Sequence, residues 1–297
     1  MTETTLDKSS LILNFRSFYE LMKPSVMSLV IFTCVVGLIS SSKDINFLYS
    51  IISIIAVALG AGSAGALNMW YESEIDSLME RTCLRPIPSG KLSKKQALYF
   101  GIFTSFFSVA VLYFFSNFLS ALLLAITILF YVVIYTMWLK KTTPQNIVIG
   151  GAAGAFPPII GWTIATGEIN LEPILYFLII FFWTPSHFWA LSLYKTEDYK
   201  NANIPMLPVV SGIRTTKINI FIYGIILFVI SLTPYLFGFL GIIYLLSSII
   251  LGSYYVYLCY KLLKETVDEK KIAIKIFLYS ILYLFILFAV ILIDGLI

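Results

Sequence analysis

Charged side chains are scarce in this sequence. They make up 12% of its 297 residues, against 59% hydrophobic and 16% aromatic, at a mean hydropathy of +0.92. Soluble domains average roughly 25% charged residues, so a water-facing enzyme is excluded, and so are a disordered chain and a collagen. Cysteine is equally sparse: Cys34, Cys83 and Cys259 are odd in number, scattered and without CxxC spacing, which excludes a disulfide framework and a cysteine zinc site. The first residues are polar and include Glu3, Asp7 and Glu20, so they form neither a signal peptide nor an arginine-rich transit peptide. A net charge of +4 would suit nucleic acid, but the placement of the basic residues argues for a membrane and no nucleic acid.

What the sequence has in abundance is long apolar runs. A spanning helix needs about 20 mostly apolar residues. About nine runs qualify, over residues 26–40, 47–70, 97–115, 118–139, 147–165, 174–193, 218–237, 240–260 and 276–293. Nine spans put nineteen of the twenty Lys and Arg residues on the N-terminal side and leave only Lys43 opposite. Basic residues in short loops stay cytoplasmic, so the reading is an all-α membrane protein with its N-terminus inside and its C-terminus outside. Residues 1–25 read as a cytoplasmic segment and 26–297 as one transmembrane domain. Small-residue runs at 60–66 and 150–155 read as faces for close helix packing.

Carboxylates beside a span are costly and usually have a task. The second span runs into Asn68-Met-Trp-Tyr-Glu72-Ser-Glu-Ile-Asp76. If the helix continues, Asn68, Glu72 and Asp76 stack one turn apart within an arc of about 80°. An amide and two carboxylates on one face suit Mg²⁺, which completes its shell with water and substrate phosphate oxygens. Arg81 and Arg85 follow, suited to charge-assisted contacts with those phosphates. Glu74 and Glu80 read as ordinary solvated residues. A second polar cluster, His187 to Lys200, follows the sixth span and falls on the same side, as a single site requires.

These residues carry a resemblance. The N-x-x-x-E-x-x-x-D motif, followed by RTCLRPIPSG at 81–90, resembles the first signature of the intramembrane UbiA-type prenyltransferases. The stretches YELMKP (19–24), LKKTTPQNIVIGGAAGAFPPIIGW (139–162), WTPSHFWALSLY (183–194) and DYKNANIPMLPVVSG (198–212) resemble, within that superfamily, the protoheme IX farnesyltransferases. The resemblance implies a ring of nine helices around a central cavity. It also implies transfer of farnesyl from farnesyl diphosphate to the 2-vinyl group of protoheme IX, giving heme O, with Mg²⁺-diphosphate at the cytoplasmic end. Heme is then a substrate and Mg²⁺ the cofactor. Asn68, Glu72 and Asp76 take the first catalytic and metal motif, and Tyr194, Lys195 and Asp198 the second, with Asp198 a metal ligand. The sequence departs from the usual pattern at Ser25, Glu72, Ser186 and Asn203, where Arg, Asp, Pro and Gly are common.

Candidate diphosphate partners are Arg81, Arg85, Lys141 and Lys195, with Lys140 beside Lys141. The lone histidine, His187, can ligate the iron of a heme substrate or hydrogen-bond a neighbouring helix. Asn146, Thr142 and Thr143 read as helix caps, and Asp44, Glu168, Glu172 and Asp294 as solvated and inert. The rivals are a relative that prenylates an aromatic quinone precursor and a secondary transporter. A transporter would set its carboxylates near the midplane in broken helices rather than beside cations at helix ends. A plasma membrane is the expected home. A heme A synthase or an oxidase-assembly factor is a candidate partner.

Overall fold

The computed structural model describes residues 8–43 and 46–295. Residues 1–7 of the expected N-terminal segment, with Glu3 and Asp7, and Asp44 lie outside the described residues. Every element among the described residues is helical: α1 (Lys8–Leu21), α2 (Pro24–Ser40), α3 (Phe47–Leu78), α4 (Lys94–Phe115), α5 (Phe118–Thr142), α6 (Asn146–Thr166), α7 (Leu171–Tyr194), the short α8 (Thr196–Asn201) and α9 (Leu207–Val210), α10 (Gly212–Leu236), α11 (Ile242–Lys264) and α12 (Glu269–Asp294).

Eight of these helices are long and apolar enough to cross a membrane unaided. The expected first span is shorter, because α2 has only 17 residues. Only together with Phe15–Leu21, across a bend of 58°, does it become long and apolar enough to count as a ninth span. The bend has a local cause. Pro24 opens α2, where its missing N–H costs nothing, and Lys23 before it adopts a left-handed conformation at φ 53. The two shortest expected joints hold: Asn117 caps α5 by accepting from the Ser120 N–H at 2.9 Å, and Gly238, at φ 76, turns the chain between α10 and α11.

Two helices depart from regularity where the function concentrates. In α5, residues Phe130–Leu139 wind as a π-helix, a form that clusters at functional sites. The Thr136 hydroxyl follows the same offset and donates to the Tyr131 carbonyl, five residues back, at 2.9 Å. α6 breaks at Phe156, since Pro157 and Pro158 have no N–H for the carbonyls of Ala153 and Gly154 one turn earlier.

The bundle has a solid half and a hollow half. Around α7, α10, α11 and α12 the core is filled by large side chains, including the fully buried Trp189, Tyr244, Tyr255 and Tyr283. The tyrosine hydroxyls there are satisfied within the core: Tyr255 by Ser186 at 2.8 Å and Tyr283 by Ser231 at 2.5 Å. Between α2, α3, α5 and α6 lies a cavity of about 140 Å³. At the end of the bundle away from the polar motifs, the Asp294 carboxylate accepts the Gly241 and Tyr244 N–H groups and so caps α11, rather than standing free in solvent as expected. Glu172 likewise has a partner in the Tyr176 hydroxyl.

Close helix approach holds α2 on α6. A Cβ added at Gly161 would stand 1.9 Å from the Cys34 carbonyl oxygen, and one at Gly37 would stand 2.1 Å from that of Pro158. Backbone is the obstacle at both positions, so the helices must separate. Gly161→Ala is expected to cost about 1–3 kcal/mol, read as a lower thermal midpoint in detergent; an unchanged midpoint would mean that the two helices do not touch there.

Candidate active site

α3 does continue, eight residues past the expected end of the span at Trp70, and carries Asn68, Glu72 and Asp76 on one face. All three are buried, at 2%, 1% and 2% exposure. Burying ionised carboxylates costs several kcal/mol each unless they are paired, and the chain brings a cation to every member of the row. Lys23 Nζ donates to Asn68 Oδ1 at 2.5 Å. Lys140 Nζ donates to Glu72 Oε2 at 2.6 Å. Arg85 Nη1 donates to both Asp76 oxygens at 2.8 Å. The Asn68 amide nitrogen also donates to Thr136 Oγ1 at 3.0 Å, on the π-helical turn of α5. Arg85 reaches back because the chain turns after α3, where the Thr82 hydroxyl donates to the Asp76 carbonyl at 2.9 Å.

The second motif comes to the same end of the bundle. Lys195 Nζ stands 3.6 Å from Asp198 Oδ2 and 3.6 Å from Glu80 Oε2, which links the two motifs by charge. Partial desolvation works against its ammonium, but the Asp198 and Glu80 carboxylates outweigh that and hold Lys195 above the ordinary lysine value. An apolar cluster of Met79, Ile147, Tyr199, Ile204 and Met206, joined by Ile75 and Tyr135, packs the loops of the two motifs together.

Not every expected residue joins the buried row. Arg81 is exposed and is not a partner of the three acceptors. Lys141 Nζ sits 4.7 Å from the Tyr71 ring centre, and its neighbour Lys140 is the lysine that meets Glu72. Tyr194 is 40% exposed, with Lys195 Nζ 5.2 Å from its ring centre. Asn146 does not cap α6: it is helical, and its amide donates to the Thr143 carbonyl at 2.6 Å. Lys23 and Thr136 were missed as site residues. The first sits 45 positions from its partner and the second 68, a separation that no local pattern encodes.

His187 lies in the solid half, stacked between Trp183 (4.2 Å between ring centres) and Phe277 (4.6 Å). Its Nδ1 is 2.6 Å from Ser280 Oγ on α12. The departures from the usual motifs are accommodated. Ser186 bonds Tyr255, and Asn203 takes a left-handed φ of 53, which glycine adopts freely and asparagine more readily than most residues.

Lys23 joins the buried row to the cavity, because it lines the cavity together with Gly65 and Tyr131 while its Nζ holds Asn68. Among the described residues no three His, Cys, Asp or Glu side chains converge as a ready metal cluster. The donors nevertheless fit a cation. Glu72 Oε1 and Asp198 Oδ2 are buried without a hydrogen-bond partner, since 3.6 Å from Lys195 is too long for one.

Fold and site together define an all-helical membrane protein with an acid–base face at one end and an apolar pocket beside it. The UbiA prenyltransferase family matches residues 29–281, and the chain belongs to that family. It is 58% identical over 285 residues to the protoheme IX farnesyltransferase of Pelagibacter ubique, covering 95% of this chain and 94% of that one. It is 54% identical to the protein of the same name from Bartonella bacilliformis, covering 94% and 91%. Among solved structures, a digeranylgeranylglyceryl phosphate synthase superposes with a TM-score of 0.79 at 21% identity, covering 95% of this chain and 98% of that one. A UbiA homolog from Archaeoglobus fulgidus, bound to DMAPP and Mg²⁺, superposes with 0.68 at 16% identity, covering 93% and 99%.

Lys140→Met removes the partner of a buried carboxylate and is expected to lower stability by about 3 kcal/mol. Lys141→Met, at an exposed position, should stay within about 0.5 kcal/mol of the parent. Equal shifts in thermal midpoint for the two variants would contradict the assignment of Lys140 to Glu72.

Proposed function

We propose that the chain transfers the farnesyl group of farnesyl diphosphate to the 2-vinyl group of protoheme IX, forming heme O. The observation that carries the proposal is the meeting, at Lys23, of a buried row of cation-paired acceptors with an apolar cavity. A prenyl diphosphate has this division: a highly charged head on an apolar tail. The names of the relatives, at 58% and 54% identity over nearly the whole chain, supply the acceptor.

Asn68, Glu72, Asp76 and Asp198 would hold Mg²⁺, all through oxygen donors, as that ion prefers. When bound, the ion supplies charge neutralisation to the leaving diphosphate. Lys23, Arg85, Lys140 and Lys195 are the chain's own donors to the same oxygens, with Arg81 and Lys141 outside them. Tyr194 keeps Lys195 against its ring. Ionisation of the allylic C–O bond leaves a cation on the farnesyl C1. The Tyr131 ring, on the cavity wall beside Lys23, offers its negative face to that cation, and the dry wall keeps water from it. The vinyl group attacks C1 through its terminal carbon, forming the new C–C bond and leaving a cation on the carbon next to the porphyrin ring. Water adds there and loses a proton, giving the hydroxyl of heme O, and the diphosphate released at ionisation is the leaving group.

For the acceptor, we propose that His187 Nε2 ligates the heme iron. The Ser280 hydroxyl donates its one proton to the Phe277 carbonyl at 2.6 Å, so it accepts from His187 Nδ1–H. That tautomer leaves Nε2 with a free lone pair, the arrangement of metal-ligating histidines. The nineteen-to-one distribution of basic residues supports a cytoplasmic N-terminus, with the site at the cytoplasmic face of a plasma membrane. Residues 26–297 act as one domain in this reading.

The test is chromatographic. Membranes carrying the chain, given protoheme, farnesyl diphosphate and Mg²⁺, should yield a more hydrophobic heme of the mass of heme O, and a chelator should abolish it. Prenylation of aromatic acids without any heme product would overturn the acceptor. Asp76→Asn is expected to lower transfer at least about a hundredfold with membrane insertion intact. His187→Ala should weaken heme binding, read from the heme absorption band, and spare diphosphate binding; unchanged heme affinity would leave His187 a packing residue.

A further inference from the structure

The cavity has a measurable depth. On α3 its lining runs from Gly65, one turn before Asn68, back to Val57, a distance of about 12 Å at 1.5 Å per residue. The far lining residue of each wall helix, counted from the acid–base end, is Val30 on α2, Val57 on α3, Leu124 on α5 and Ile160 on α6. All four are branched and apolar, and they mark the end of the lining farthest from Lys23.

Between Lys23 and that end, α2 and α5 line the cavity with larger side chains, whereas α3 and α6 contribute small residues, which are not equivalent. A Cβ added at Gly60 would meet the Leu124 side chain at 2.8 Å, so that glycine serves packing. A Cβ at Gly65 would meet the Leu21 carbonyl at 3.4 Å. Gly154 is exposed and lines the cavity, and an added Cβ there meets nothing within 4 Å. Its backbone is helical, with none of the positive φ that marks Gly90, Gly167, Gly212 and Gly238. Neither conformation nor packing therefore requires glycine at 154. Open volume between Lys23 and the far end of the lining is what a side chain there would take away.

We propose that this chain measures the length of its prenyl substrate between Lys23 and the floor formed by Val30, Val57, Leu124 and Ile160, with Gly154 keeping the passage to that floor open. The proposal rests on the reading of the cavity as the site of the prenyl tail and names what sets its specificity. A side chain at 154 shortens the usable pocket and favours geranyl over farnesyl. A smaller residue at 160 deepens the pocket and favours geranylgeranyl.

The experiment measures binding to the full-length chain in detergent with Mg²⁺, using the unreactive thiodiphosphates of geranyl, farnesyl and geranylgeranyl, and so does not depend on the acceptor. Gly154→Leu should raise the geranyl-to-farnesyl affinity ratio roughly tenfold or more, the scale on which apolar pockets discriminate chain size. Ile160→Ala should raise the geranylgeranyl-to-farnesyl ratio in the same sense. Gly154→Ala, which makes no close contact, gives a smaller shift in the same direction and stands in if the leucine variant fails to fold. Parental ratios in Ile160→Ala together with a folded 154 variant would overturn the proposal. Shifted ratios in a protein that makes no prenylated heme would instead uphold the length measurement and overturn the assignment of the acceptor. A parent that binds none of the three compounds would overturn both.

Discussion

Glu72 and Asp76 are carboxylates buried at the end of a membrane-spanning helix. An unpaired carboxylate there costs several kcal/mol, so each must be met by a cation, and each is met from a different direction. Lys140 arrives from the π-wound end of α5 and Arg85 from the turn after α3, while Lys23 arrives at Asn68 from the bend between α1 and α2. Much of the local geometry at this end follows from that requirement. The left-handed Lys23, the turn tied by Thr82 and the widened turn that carries Thr136 each deliver one partner to the row. Even so, Glu72 Oε1 and Asp198 Oδ2 remain without hydrogen bonds, so the site is neutralised but not saturated.

The division of the bundle supports this end. Around α7 and α10–α12 aromatic rings and tyrosine–serine bonds fill the interior. Between α2, α3, α5 and α6, glycine and alanine leave space. Small residues there have two distinct uses. Gly37 and Gly161 let two backbones touch, whereas Gly154 faces open volume. The small-residue run at 150–155 therefore combines packing with a cavity wall, where the sequence pattern indicated packing alone.

The spans, the alternation of loops and the acidic row on α3 were legible in the sequence, because each is a periodic or compositional signal within one segment. Asn68, Glu72 and Asp76 share a face by helical arithmetic, and only the continuation of α3 past Trp70 had to be seen. The partners were not legible in the same way. Lys140 and Lys141 are adjacent, and the choice between them depends on a π-helical register that no residue pattern announces. Lys23 read as one more basic residue of an N-terminal segment, although its neighbours matched a known motif. Asp294 and Glu172 read as solvated because their partners lie on another helix or one turn away.

We propose that Lys140 and Arg85 leave Glu72 and Asp76 for phosphate oxygens when substrate binds, freeing the carboxylates that would hold Mg²⁺. An experimental structure of the chain with Mg²⁺ and farnesyl thiodiphosphate tests this most directly. The account predicts metal density at Glu72 and Asp76, with Lys140 and Arg85 moved from the carboxylates to phosphate oxygens and the tail between Lys23 and Ile160. Intact Lys140–Glu72 and Arg85–Asp76 pairs, with the metal and diphosphate bound elsewhere, would contradict it.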